Sequence, residues 1–276
     1  MKKYIINIFI FFILFLGLNI LYLIVCMKFD WNFSKRIEAL ELQKPVYKNI
    51  VIGNSLSMDG IDSQMLSSDS SGTYNLSIGG ASLKTNYIQL QEYISIALKK
   101  PERIILAVGS YRDNFFSDTS IQPIVEFTMT DYTYKFEDLP MIKFKWIFTE
   151  LLKKMISAEH RSAKRVQGQL RIRRTVADNT LINIPINNIP FSKYQNSIYI
   201  KQIAELCNRN KIELIIIEMP GFRYTRNNQT VGPYEINYNQ NVKVDLYNFN
   251  GPDIDSILDP KVDWLGGSHL NKYGAE

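Results

Sequence analysis

The sequence predicts an α/β fold built on a parallel sheet, carried behind one membrane-spanning helix. Three observations lead there. Short apolar runs closed by glycine, such as Asn49–Gly53 (NIVIG) and Arg103–Val108 (RIILAV) before Gly109, have the character of strands buried on both faces. Amphipathic stretches of helical period lie between them, the alternation that builds a doubly wound sheet. Ahead of both, Tyr4 to Met27 holds no charged residue.

A helix over Tyr4–Met27 would extend about 36 Å at ~1.5 Å per residue, enough to cross a hydrocarbon core of ~30 Å with some tilt. The run is longer than the apolar region of a cleaved signal peptide, and no small-x-small cleavage site follows it. Lys2 and Lys3 flank one side and Lys28, Lys35 and Arg36 the other, so charge hardly separates the two orientations. The expectation for a single amino-terminal span is a short cytoplasmic amino terminus and an extracytoplasmic remainder. Residues 1–28 are thus read as a single-pass cell-membrane anchor, 29–48 as a juxtamembrane stalk, and 49–276 as the α/β domain.

That domain has ample apolar material. Of 276 residues 46% are hydrophobic and 21% charged, which excludes wholesale disorder. The net charge of +5 is too mild to argue for nucleic acid. Two cysteines exclude a disulfide framework and a thiolate metal site, and two distant histidines, His160 and His269, make a poor metal-ligand set. No metal and no cofactor are expected.

The elements follow in order. Asn49–Gly53 is the first strand and Thr73–Ser77 (TYNLS) the second. Leu83–Lys99 carries Tyr87, Leu90, Tyr93, Ile94 and Leu98 at helical spacing until Pro101 breaks it. Arg103–Val108 is the third strand. Ser197–Asn208 reads as a helix and Ile212–Glu218 (IELIIIE) as a fourth strand, ending at Met219-Pro220-Gly221. Between them, residues 115–192 lose the pattern and read as an insertion, with a helix from Met141 to about Ile156. Within it, residues 151–174 hold eight basic side chains, Arg165 and Arg171 among them, against Glu159 alone. Two readings stand: a solvated helix face, or a surface for anionic headgroups or an anionic polymer at about 1 kcal/mol per basic residue.

Ligands of open α/β sheets gather beyond the carboxyl ends of the strands. That rule selects Gly53-Asn54-Ser55-Leu56, Ser77-Ile78-Gly79-Gly80, Gly109–Asn114 and Met219-Pro220-Gly221. The first puts a hydroxyl between a strand and a helix, where unpaired N–H groups favour a developing oxyanion. The second lets backbone approach a ligand closely. Near the carboxyl terminus, Asp263-Trp264-Leu265-Gly266-Gly267-Ser268-His269 places a histidine near a carboxylate. A serine needs such a base to act as a nucleophile near neutral pH.

Strand-Gly53-Asn54-Ser55-Leu56, then Asn75-Leu76-Ser77-Ile78-Gly79-Gly80, then His269-Leu270-Asn271-Lys272-Tyr273-Gly274-Ala275, resemble the ordered blocks of the SGNH (GDSL-type) hydrolases and acyltransferases. The resemblance covers roughly residues 49–114 and 195–276. It implies a flavodoxin-like three-layer sandwich, with Ser55 as nucleophile, His269 as general base, and the Gly80 and Ser55 amides as oxyanion donors. The chain departs from the family pattern in three places. Asn54 stands where the family has aspartate. Tyr111 stands where it has the oxyanion asparagine, for which Asn114 is the substitute. Gly266 stands where it has the triad aspartate, which leaves Asp263 as a substitute through a different loop path, a Ser–His dyad, or an inactive site.

The resemblance implies a membrane-anchored serine esterase or O-acyltransferase acting on acyl, most simply acetyl, esters of a cell-envelope glycan. A multi-span membrane acyltransferase is the partner so implied, and nucleic acid is not. The alternative is a non-catalytic envelope protein of the same fold that binds glycan or such a partner.

Overall fold

In the computed structural model, residues 2–28, 47–67, 72–109, 113–116, 139, 141, 164–171, 189–221, 231–251, 253–259, 261–266 and 269–276 are described. Residues 29–46 of the expected stalk, Tyr111 and all of the expected Met141–Ile156 helix except Met141 lie outside them, whereas Tyr47 and Lys48, expected in the stalk, already belong to the first strand.

Helix α1, Lys2–Lys28, is one uninterrupted helix, and its stretch Lys3–Tyr22 is long and apolar enough to cross a membrane. Most of its described apolar side chains are exposed, with Phe15, Leu16 and Tyr22 half-buried, whereas Asn19 is buried. The Asn19 amide donates to the Phe15 carbonyl (2.9 Å) and accepts from the Met141 N–H (3.0 Å), so this polar group inside the span is satisfied.

The domain is a mostly parallel sheet with helices. Its elements are β1 Tyr47–Gly53, α2 Ser55–Gly60, β2 Gly72–Asn75, α3 Leu83–Ile96, β3 Arg103–Gly109 and the hairpin β4 Lys164–Val166 with β5 Gln169–Arg171. They continue as α4 Phe191–Asn196, α5 Ile198–Arg209, β6 Glu213–Met219, β7 Tyr234–Asn239 and β8 Val242–Asn248. The chain closes with α6 Ile254–Ile257, β9 Trp264–Gly266, β10 His269–Leu270 and α7 Lys272–Ala275. The central sheet has the order β2-β1-β3-β6-β8-β7, parallel except for the antiparallel edge strand β7.

Side-chain alternation along the central strands separates two cores. Ile50, Ile52, Ile104, Leu106, Leu214 and Ile216 face α3 and α5. Val51, Ala107 and Met219 face the other way, against Leu56, Ile61, Trp264 and Leu270. Both faces are covered, which is why these strands read as nearly continuous apolar runs. Ser82 and Ser197 cap α3 and α5 by accepting from Thr85 and Ile200 N–H.

The four expected strands are present with shifted ends. Strand β2 stops at Asn75, because its Oδ1 accepts from the Ser77 N–H (3.0 Å) and turns the chain. Leu76 and Ile78 still donate to the Val51 and Gly53 carbonyls, so the segment stays alongside β1. Strands β7 and β8 were not expected. Their mark is the period of two in Val242, Val244 and Leu246, buried, against Lys243 and Asp245, exposed.

The described part of the basic run, residues 164–171, is a hairpin and not a helix face. Its Gln167 and Gly168 both have positive φ (47° and 83°), as a two-residue turn of the primed type requires. Arg171 is not left free for headgroups, since it pairs with buried Asp62 at 2.7 Å.

Candidate active site

Ser55 opens α2 directly after β1. The Asn54 side chain accepts from the Leu56 N–H (2.9 Å) and caps this short helix, a task asparagine performs as well as aspartate. Gly53 lets the helix start close to the sheet: a Cβ there would run into Ser57 Oγ and the Ala107 carbonyl. Leu56 fills the space above Gly109, where a Cβ would meet its Cδ1. The half-buried Ser55 hydroxyl is thereby held at the carboxyl edge of β1.

His269 arrives from the other end of the chain. Strands β9 and β10 form a small antiparallel pair in which His269 stands opposite Gly266. The two residues after it fix its place. Leu270 is buried between α2 and β6, its Cβ 3.4 Å from where a Cβ on Gly60 would lie. Asn271 is fully buried, caps α7 by accepting from Tyr273 and Gly274 N–H, and donates to the Val262 carbonyl. In the His-Leu-Asn triplet, Leu270 is therefore a plug and Asn271 a cap, and together they fix where His269 stands.

Ser55 Oγ and His269 Nε2 lie 2.8 Å apart. Burial pushes the imidazole pKa below its ordinary 6.5, which favours the neutral ring near pH 7; in the tautomer with the proton on Nδ1, Nε2 can accept the serine proton. That is the geometry of an activated nucleophile.

The glycine pair lies beside it. Ile78, Gly79, Gly80 and Ala81 form a turn closed by the Ala81 N–H to the Ile78 carbonyl (3.1 Å), with Gly80 at φ 73°. A Cβ on Gly79 would stand 3.9 Å from Ser55 Cβ, so it is Gly79, next to the expected Gly80, that borders the serine. The Ser55 and Gly80 N–H groups have no acceptor among the described residues. Behind them, Ser57 Oγ is 2.9 Å from the Asn54 carbonyl and 2.8 Å from Ser77 Oγ. The Asn75 amide donates to the Ser57 carbonyl at 2.8 Å. This buried mesh ties α2 to the glycine turn, and the hydrogen-bonding residues at 54, 57, 75 and 77 were its only sequence signal.

Two expected residues stand differently. Asp263 does not meet His269: its Oδ2 accepts from the Asp259 N–H (2.7 Å), and its carbonyl accepts from Asn271 N–H (2.9 Å). The reason is local, because these bonds tie the residue into the turn that leads into β9 and its side chain turns back along that turn. No carboxylate is hydrogen-bonded to His269 among the described residues. Asn114 lies in a 3₁₀ turn, Asp113–Phe116, pinned by buried Phe115, and its side chain is outside the described residues. Among the described residues no three His, Cys, Asp or Glu side chains are grouped as a metal ion would need.

A second polar cluster underlies the end of β6. Glu218, 1% exposed, accepts from Tyr194 Oη (2.6 Å) and from the Asn250 amide (3.3 Å). Burial pushes its pKa up to about 7, against the opposing pull of hydrogen bonds from Tyr194, the Ile189 backbone and Asn250. Asn250 also holds the loop after β6, donating to the Met219 carbonyl and accepting from the Gly221 N–H.

No protein-family model matches this chain, and no curated protein matches it significantly.

Proposed function

We propose that this protein is a membrane-anchored serine esterase or O-acyltransferase of the SGNH type. Its substrate class is the acyl, most simply acetyl, esters of a cell-envelope glycan, and its domain faces outward. The observation that carries the reading is the 2.8 Å approach of His269 Nε2 to Ser55 Oγ at the start of a helix beyond a parallel strand. The order β2-β1-β3-β6-β8 supports the flavodoxin-like sandwich, since it follows the 2-1-3-4-5 arrangement of that class. The glycan and an acyltransferase partner rest on the sequence resemblance.

In this mechanism Ser55 Oγ attacks the ester carbonyl while His269 Nε2 takes the hydroxyl proton. The tetrahedral oxyanion is held by the Ser55 and Gly80 amides. Collapse expels the alcohol, which receives the proton from His269, and leaves an acyl-serine. Water or a sugar hydroxyl, deprotonated by His269, then takes the acyl group.

The non-catalytic reading draws support from one feature, the engagement of Asp263 with Asp259 in place of His269. The two readings separate in one experiment on the full-length protein in detergent. A fluorophosphonate probe labels the wild type, and the label vanishes in Ser55→Ala and weakens in His269→Ala if the enzyme reading holds. A folded wild type that takes no label overturns it in favour of the binding role.

A further inference from the structure

Within the insertion between β3 and α4, the described hairpin of residues 164–171 is attached to the parts of the site that must stay in register. The tip of the β4–β5 hairpin lies on Asn75. Gln167 carbonyl accepts from the Asn75 N–H at 2.9 Å, at the last ladder residue of the edge strand β2. Gly168 is pressed so close that a Cβ would overlap the Asn75 carbonyl and crowd the Tyr74 ring. Its φ of 83° excludes most other residues as well.

The second strand of the hairpin grips α2. Fully buried Gln169 donates from Nε2 to the Asp59 carbonyl (3.3 Å), and its Oε1 accepts from Arg171 Nε (3.2 Å). Arg171 Nη2 reaches both oxygens of Asp62, at 3.0 and 2.7 Å. Asp62 is 3% exposed and its Oδ1 also accepts from the Gln64 and Met65 N–H groups, closing the turn that follows α2. A buried carboxylate with a charge-assisted partner is far more costly to leave alone than an exposed one.

Asn75 and α2 are the two pieces whose relative position sets the site. Asn75 Oδ1 holds Ser77 at the head of the glycine turn, and its amide holds the Ser57 carbonyl two residues past Ser55. We infer that the hairpin of the insertion is a brace in which Gly168, Gln169 and Arg171 are positioning residues. Through Asn75 and Asp62 they keep the Gly79–Gly80 turn and Ser55 at a fixed separation. The inference rests on the reading of Ser55 as a nucleophile for its catalytic consequence, and on the hydrogen bonds alone for the coupling itself. It also assigns the centre of the basic run a role inside the protein.

The test compares full-length wild type with Arg171→Gln, Gln169→Met and Gly168→Ala, using two readouts. The first is fluorophosphonate labelling resolved into probe affinity and the rate of bond formation. The brace predicts an unchanged affinity and a bond-forming rate lower by about tenfold to a hundredfold, the scale of a misplacement near 1 Å. Arg171→Lys recovers part of that rate. The second readout is amide hydrogen exchange, which needs no activity. The brace predicts faster exchange confined to residues 55–66 and 72–82, with β6 unchanged. Exchange that rises uniformly, or variants that exchange and react like wild type, would overturn the brace. A wild type that takes no label while the exchange rises locally removes the catalytic reading and leaves the coupling standing. Gln169→Met and Arg171→Gln keep the hairpin turn intact, so the comparison does not depend on Gly168→Ala folding.

Discussion

His269 Nε2 and Ser55 Oγ are 214 residues apart in the chain and 2.8 Å apart in space. Since burial lowers the histidine pKa below 6.5, protonation of the ring is what removes its basic lone pair as the pH falls. The rate of fluorophosphonate labelling is therefore expected to be flat above pH 7 and to fall through a midpoint below 6.5. Folding is linked in the same sense: the stability contributed by the neutral ring is present above 6.5 and lost as the pH drops through the lowered value. A midpoint above 6.5 would count against a buried neutral base.

Asp263 separates a dyad from a triad. Its carboxylate is spent on the Asp259 N–H, so Asp263→Asn should lower the labelling rate by less than about tenfold. His269→Ala should lower it by about a thousandfold or more. Equal losses in the two variants would mean that Asp263 orients the imidazole after all.

Two glycines beside the serine should behave oppositely. Gly53→Ala drives a methyl into Ser57 Oγ and the Ala107 carbonyl, a cost of about 1–3 kcal/mol read as a lower unfolding midpoint. Gly79→Ala meets only ordinary contacts, at 3.8 Å from Met58 Cε and 3.9 Å from Ser55 Cβ. It should unfold within about 0.5 kcal/mol of wild type while slowing reaction with bulky probes more than with small ones.

Glu218 gives the domain a pH-dependent stability of its own. Its pKa rises from 4.5 to about 7 on folding, so the native state binds the proton more tightly. The associated stability is complete below pH 4.5 and is lost as the pH rises through about 7. That change is on the order of 3 kcal/mol at about 1.4 kcal/mol per unit. Glu218→Gln should flatten this part of the stability profile in a urea titration across pH 4–8. A slope that persists in the variant would place the titrating group elsewhere.

Much of the architecture was legible because buried parallel strands leave a signal in one dimension. Arg103–Gly109 and Glu213–Met219 are apolar on both faces, and a glycine or Met-Pro-Gly follows where each must stop. The hairpin β7–β8 was not, because half of its residues face solvent and Glu235, Asn237 and Asn239 disfavour strands. Ser55 and His269 were legible as residue types at element ends, each two residues after a glycine.

Taken alone, the sequence determined that an apolar amino-terminal helix precedes an alternating α/β domain, and that one serine and one histidine stand at the ends of its blocks. Local preferences and periodicity suffice for that. Only the tertiary structure decided which groups meet. It brought His269 onto Ser55, turned Asp263 toward Asp259, and laid Gly168 of the patternless insertion on Asn75. Those outcomes depend on strand order, on the register of a two-residue β10 and on packing between segments about 100 residues apart, none of which has a period that a linear chain can display.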